Sequence, residues 1–216
     1  MSQEDVDYRG YDPIHPGGPD WRGRIKRLTG PIVAAGLALA KFSFVLLKFS
    51  AIFISVAAYA LIWGWRFAVG LVLLILLHES GHYLEARREG LAPKLPVFVP
   101  FLGAYVRYTR GNPWQTARVA LAGPIFGGLA SLAVYGLAAA QGSRLLYALA
   151  YFGFFLNLFN LIPVGILDGG AVWRSARWLR LGGAPGKAQL IYVLYGATAL
   201  GLVIGMWASH VPQSRL

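Results

Sequence analysis

Apolar residues in this chain come in long blocks separated by short polar interruptions, a pattern unlike the stripes of a soluble amphipathic fold. Residues 31–65 are predominantly apolar, and their charged residues are Lys41 and Lys48. As one helix they would reach roughly 52 Å, against a bilayer hydrocarbon core of about 30 Å. Lys41 and Lys48 are seven apart and share a helical face, so residues 31–48 are predicted to form an amphipathic helix at the membrane interface. The first span then covers about residues 47–65. The other partition, two short spans, would move the basic N-terminus to the far side.

A second span opens at Arg66 and leaves through Glu85, Arg87, Arg88 and Glu89. A third, about residues 116–139, starts after Pro113 and carries Gly123 and Gly127 four apart, a spacing that lets two helix backbones approach. A fourth covers about residues 145–162 and contains Asn157 and Asn160; a fifth covers about residues 189–208. Residues 92–111 break the helical pattern with three prolines and two glycines. Val97, Val99 and Phe101, then Tyr105, Val106 and Tyr108, predict short strands around a bend at Gly103, a β-hairpin at the membrane surface. The fourth span ends in a loop over residues 163–170. The basic segment after it spaces Arg174, Arg177 and Arg180 three apart and is predicted to face lipid headgroups.

The expected fold is therefore an all-α polytopic membrane protein: about five transmembrane helices, an N-terminal amphipathic helix and a short hairpin between the second and third spans. Residues 1–30 are expected to be a disordered tail ending in the juxtamembrane basic cluster WRGRIKR. Residues 31–209 form one membrane-embedded domain, and residues 210–216 a short tail. The N-terminus has no apolar stretch of the kind a cleavable signal peptide needs.

Composition agrees: 56% of the 216 residues are hydrophobic and 13% charged, with a mean hydropathy of +0.53, which excludes an ordinary soluble domain. A formal charge of +11 raises nucleic acid as a partner. That reading requires a basic face on a soluble fold, whereas here the basic residues sit between apolar blocks and act as topology signals. With the N-terminus inside, 15 of the 20 basic residues fall on the cytoplasmic side. This rejects the two-short-span partition and places the ends of the second and fourth spans on that same side. The absence of cysteine rules out disulfides and thiolate metal ligands.

Chemistry enters at residues 78–82, His-Glu-Ser-Gly-His. On a helix, His78 and His82 lie one turn apart on one face and offer two imidazoles to one ion. Glu79 beside them is placed to take a proton from metal-bound water, the HExxH zinc pattern. A catalytic zinc needs a third protein ligand. The other histidines, His15 and His210, lie in the termini. Glu85 and Glu89 share the histidine face but stand about 10 Å or more along the axis from His78, beyond ligand reach. Asp168 remains by elimination.

At this point the chain resembles the site-2 protease family of intramembrane zinc metalloproteases, in a minimal form without a PDZ or CBS module. HESGH at 78–82, NLIPVGILDGG at 160–170 and AGPIFG at 122–127 carry the resemblance, which covers about residues 67–180. It implies that His78, His82 and Asp168 bind Zn2+, that Glu79 is the general base, and that Asn160 positions the substrate or the developing oxyanion. The strand-like segment resembles the family's surface hairpin that receives substrate. Many members have a second proline where Gly165 stands here.

The implied activity is hydrolysis of a peptide bond in or near a transmembrane segment of a membrane protein substrate, as in regulated intramembrane proteolysis. The expected location is the cell membrane, multi-pass, active site toward the cytoplasm, among anionic headgroups and with no nucleic-acid role. Because a substrate helix has its carbonyls tied up in its own hydrogen bonds, it must unwind, and the unwound stretch is expected to add as a strand to residues 96–109. Water is expected to reach the metal past Ser80, Asn157 and Asn160. The competing class is a metal-ion or proton transporter built on the same intramembrane His/Asp cluster; the chain shows neither an internal repeat nor paired broken helices in its favour. Glu85 and Glu89 are left to pair with Arg88 or to line the water entrance. Substrate identity and oligomeric state are not encoded in any motif.

Overall fold

The computed structural model describes residues 21–99 and 103–210; the tails expected at 1–20 and 211–216 lie outside them. The chain is mainly helical: α1 (Trp21–Trp63), α2 (Trp65–Arg88), β1 (Val97–Val99), β2 (Gly103–Tyr105), α3 (Pro113–Gln141), α4 (Arg144–Asn160), α5 (Asp168–Leu181) and α6 (Pro185–Ser209). It divides into two units, residues 1–47 and 48–216. In the first, α1 runs back to Trp21, so part of the expected tail is helical. Apolar residues of this unit such as Ile32, Leu37 and Leu39 are exposed.

In the second unit, α2, α3 and α6 are long and apolar enough to cross a membrane, while Ser50–Trp63 is a shorter apolar helical stretch. Burial separates their roles. The most apolar windows of α2 and α3 are 56% and 50% buried, that of α6 only 11%. Protein therefore surrounds α2 and α3, and α6 presents its apolar surface outward, as a lipid-facing helix does.

Two apolar clusters bind the unit together. One joins α3, α4, α5 and α6 through Leu121, Phe154, Val172 and Ile191. The other joins the end of α1 with α2 and α4 through Tyr59, Leu71 and Leu149. Between α2 and α3 the approach is close enough that a Cβ on Gly81 would run into the Ala122 carbonyl. Local sequence fixes where α3 begins. Asn112 and Gln115 form a reciprocal capping box, with the Gln115 N–H on Asn112 Oδ1 at 2.9 Å and the Asn112 N–H on Gln115 Oε1 at 3.0 Å. At the other end Gly142 stops the helix in the left-handed conformation, φ 63°.

The hairpin is an antiparallel pair in the register Val97 to Tyr105, Phe98 to Ala104 and Val99 to Gly103. Gly103, expected at the bend, is instead the first residue of β2, with φ 94°, a conformation that favours glycine. Below the strands the segment is pinned at its base: the Lys94 N–H bonds the Arg107 carbonyl at 2.8 Å, and the Thr109 N–H bonds the Leu91 carbonyl at 2.8 Å.

The second difference concerns Asp168. Expected in a glycine-rich loop, it is the first residue of α5. Gly169 and Gly170 permit this, because their missing side chains let the first turn of α5 press against the carbonyls of Leu161, Ile162, Val164 and Gly165. The loop is held from two directions, by Arg174 Nη1 on the Gly165 carbonyl at 2.8 Å and by the Tyr195 hydroxyl on the Leu161 carbonyl. In α5 the arginines at 174, 177 and 180 are exposed, and Val172, Ser175, Ala176 and Leu179 are buried on the opposite face.

Candidate metal centre

His78, Glu79 and His82 are all buried, at 3%, 5% and 8% exposure. One turn of α2 sets the two imidazoles edge to face, with ring centroids 4.8 Å apart. Their Nε2 atoms are 3.1 Å apart. Asp168, arriving from the first turn of α5, puts its Oδ2 3.2 Å from His78 Nε2 and 3.3 Å from His82 Nε2. Three ligand-type atoms thus form a nearly equilateral triangle.

Hydrogen bonds behind the rings decide what those atoms offer. His78 Nδ1 donates to Asn157 Oδ1 at 2.7 Å, and His82 Nδ1 donates to the Val119 carbonyl at 2.7 Å. Both partners are oxygens that only accept, so each neutral ring carries its proton on Nδ1 and turns the Nε2 lone pair toward the triangle. Two lone pairs and a carboxylate oxygen at this distance repel one another. A proton relieves one pair of the three atoms; a divalent cation relieves all of them. Tetrahedral zinc with bonds of about 2.0–2.1 Å implies ligand separations of roughly 3.3–3.4 Å, so the donor set fits that ion.

Glu79 stands off the triangle. Its carboxylate lies within 4.8 Å of the histidine nitrogens, and its Oε2 is buried without a hydrogen-bond partner. An orphaned carboxylate oxygen beside a metal centre has the placement of a base.

A cavity of about 580 Å³ opens on the centre. His78, Glu79, His82 and Asp168 form part of its wall, Gly103 to Val106 and Tyr108 another, and Phe152, Phe155, Phe159 and Asn160 of α4 a third. Burial, together with the negative charge of Asp168, raises the Tyr108 hydroxyl pKa.

The structure thus brings together four of the five site residues expected from the sequence and sets the fifth, Asn160, on the wall of the same cavity. His210 is remote, at the C-terminal end of α6 against Tyr151. Asn157 is not on a water path as expected: it is 1% exposed and bonded to His78. Ser80 does not line the cavity either, its hydroxyl bonding the Leu76 carbonyl at 2.7 Å. Glu85 and Glu89 pair with Arg118 of α3, not Arg88. Sequence reasoning gave no role to the Val119 carbonyl and placed Asn157 on the water path instead of behind His78. A carbonyl leaves no sequence signal; a buried asparagine within an apolar helix does.

The sequence profile of Peptidase family M50 matches residues 66–144 and 137–204. The chain belongs to peptidase family M50. Relatives of this M50 chain include a Synechocystis protein, 34% identical over 140 residues, covering 59% of this chain and 37% of its own. A Mycobacterium tuberculosis protein is 29% identical over 167 residues, covering 67% and 42%. A Methanocaldococcus jannaschii protein is 23% identical over 176 residues, covering 75% and 51%. The words zinc metalloprotease stand in all three names. The M50 chain thus spans about half the length of these curated relatives or less. Among solved structures, the site-2 protease from Methanocaldococcus jannaschii superposes with a TM-score of 0.48 at 18% identity, over 77% of this chain and 90% of that one.

Proposed function

We propose that this chain is an intramembrane zinc metalloprotease that hydrolyses a peptide bond in or near a transmembrane segment of a membrane protein. The observation that carries the reading is the triangle of His78 Nε2, His82 Nε2 and Asp168 Oδ2, with sides of 3.1 to 3.3 Å, beside an unpartnered Glu79 carboxylate oxygen. In this reading His78, His82 and Asp168 hold the zinc. When bound, zinc polarises a peptide carbonyl as a Lewis acid and lowers the pKa of water to about 7.

Glu79 accepts the proton of the attacking water and delivers it to the leaving amine. Asn160, on the cavity wall, orients the substrate backbone. The substrate helix unwinds and adds as a strand along β2, whose residues line the cavity, so that hydrogen bonds lost from the helix are replaced by sheet bonds. The aromatic wall of α4 accepts the apolar side chains of such a segment. α4 and the apolar stretch Ser50–Trp63 join the three long apolar helices in a five-span arrangement, with residues 31–48 at the interface. The centre faces the cytoplasm, following the asymmetry of basic residues, and the exposed arginines of α5 meet anionic headgroups.

Glu79→Gln tests the reading. The variant is expected to retain zinc and lose cleavage of single-span membrane proteins, which then accumulate uncut in the membrane proteome. Cleavage at the wild-type rate by this variant refutes the assignment, and metal flux that survives the change assigns the cluster to transport.

A further inference from the structure

The two imidazoles are fixed by different means. The His82 proton goes to a backbone carbonyl, that of Val119, which no substitution removes. The His78 proton goes to a side chain, the Asn157 amide. An amide has two faces with opposite consequences. With Oδ1 toward the ring, the proton stays on Nδ1 and the Nε2 lone pair is free for a metal; with Nδ2 toward the ring, Nδ1 must accept, and the proton moves to Nε2 and blocks the site.

One further contact selects the first face, and another gives the amide its room. Asn157 Nδ2 donates to the Gly153 carbonyl one turn earlier in α4, at 2.7 Å. On the other side the amide lies against Gly127 of α3, where a Cβ would overlap Asn157 Oδ1 and sit 2.6 Å from Nδ2. The amide is thus held from α4 and given its room by α3, in a place water does not reach, since Asn157 is 1% exposed.

We propose that Asn157 is a positioning residue that sets the zinc affinity of the centre by holding His78 in its metal-binding tautomer, with Gly127 providing the space its amide occupies. The inference rests on the zinc assignment above. It concerns a residue that is neither a ligand nor a base, and it names His78 as the ligand whose hydrogen-bond partner a substitution can remove.

Purified full-length protein is titrated with zinc against a chelator of known affinity, alongside thermal unfolding of the zinc-free form. Loss of an outer-shell partner of a ligating histidine lowers metal affinity about 10- to 100-fold. Asn157→Ala and Gly127→Ala are expected to fall in that range. Asn157→Asp keeps the acceptor and the volume, and with a proton on the oxygen facing the Gly153 carbonyl it keeps that bond as well; it is expected to bind zinc within a few-fold of wild type. Gly128→Ala, whose new methyl meets only the flexible end of Leu202, controls for crowding on α3 and is expected to bind as wild type does. Equal affinity in Asn157→Ala and wild type overturns the inference, as does an Asn157→Asp no tighter than Asn157→Ala. Wild-type protein that holds no zinc overturns the metal assignment itself, and this inference with it.

Discussion

Gly169→Ala sets two effects of opposite sign against each other. Inside a helix, replacing glycine with alanine stabilises by about 0.5–1 kcal/mol through backbone entropy, so sequence alone predicts a firmer α5. The surroundings of Gly169 reverse that. A Cβ there would fall within the Leu161 carbonyl group and 2.7 Å from the Ile162 carbonyl oxygen. Ordinary C···O contacts are about 3.3–3.6 Å, so relief of the contact with the Leu161 oxygen requires a shift of roughly 1.5 Å. The Leu161 carbonyl is held by the Tyr195 hydroxyl and the residue is 1% exposed. The start of α5 therefore moves, carrying Asp168 with it. Ligand distances in a metal site tolerate about 0.2 Å, and a misplacement of 1 Å at a reacting centre costs about 100-fold in rate. Overpacking of this kind costs about 1–3 kcal/mol, more than the helix gain. Zinc affinity by chelator competition and cleavage rate on a membrane-protein substrate are the assays. Both are expected to drop at least tenfold, while Gly196→Ala in α6, whose Cβ meets nothing within 4 Å, leaves both unchanged. A Gly169→Ala protein with wild-type affinity and rate would refute the claim that the close approach of α5 to the loop places the third ligand.

Two further outcomes follow from contacts made by α3. Gly123→Ala puts a methyl into the His82 ring. It is expected to lower zinc affinity roughly 5- to 150-fold, the equivalent of about 1–3 kcal/mol of overpacking, because the ring can turn away only when it holds no metal. Chelator competition against wild type measures it. Arg118→Ala removes the pairs to Glu85 and Glu89, whose side chains are 16% and 15% exposed against 29% for Arg118. Partly exposed pairs are screened and worth about 0–1 kcal/mol each, so a loss near 1 kcal/mol is expected, or about 2–4 °C in unfolding temperature, shrinking at high salt. Thermal unfolding at two ionic strengths reads it, and equal shifts at both would assign the loss to the packing of Arg118 over Trp114.

The chemistry of this chain was more legible than its placement. Helical periodicity sets the two histidines of HESGH on one face, the pattern supplies the proposed base beside them, and the shortage of other carboxylates within reach points to Asp168 as the proposed third ligand. What periodicity does not carry is where a helix begins when glycines allow it to start early. Gly169 and Gly170 resemble turn residues and so predict a loop at Asp168, whereas in the fold they let the α5 backbone pack on the carbonyls before it. Gly103 misled in the same way: its positive φ belongs to the first residue of a strand. Helical neighbours alone point Glu85 and Glu89 to Arg88 within α2, but their partner is Arg118 from the start of α3.

The small residues of α3 carry the most consequential difference between sequence and structure. Gly123 and Gly127 look like a helix-packing pair, and Gly81 does pack its helix against α3 at Ala122. Packing and chemistry coincide here, because what enters the two gaps is a ligand ring at Gly123 and the amide behind the other ligand at Gly127. A methyl at either place would press directly on one of these groups, the His82 ring at Gly123 or the Asn157 amide at Gly127. Polar groups buried in an apolar bundle are costly unless each has a partner. His82 finds one in a backbone carbonyl of α3, and His78 in an asparagine seated against α3. The helix that supplies no ligand thus makes it possible for two imidazoles and a carboxylate to be buried together. The Glu79 oxygen is left as the one buried polar side-chain atom without a partner among the described residues, at the place where the proposed reaction calls for a proton acceptor.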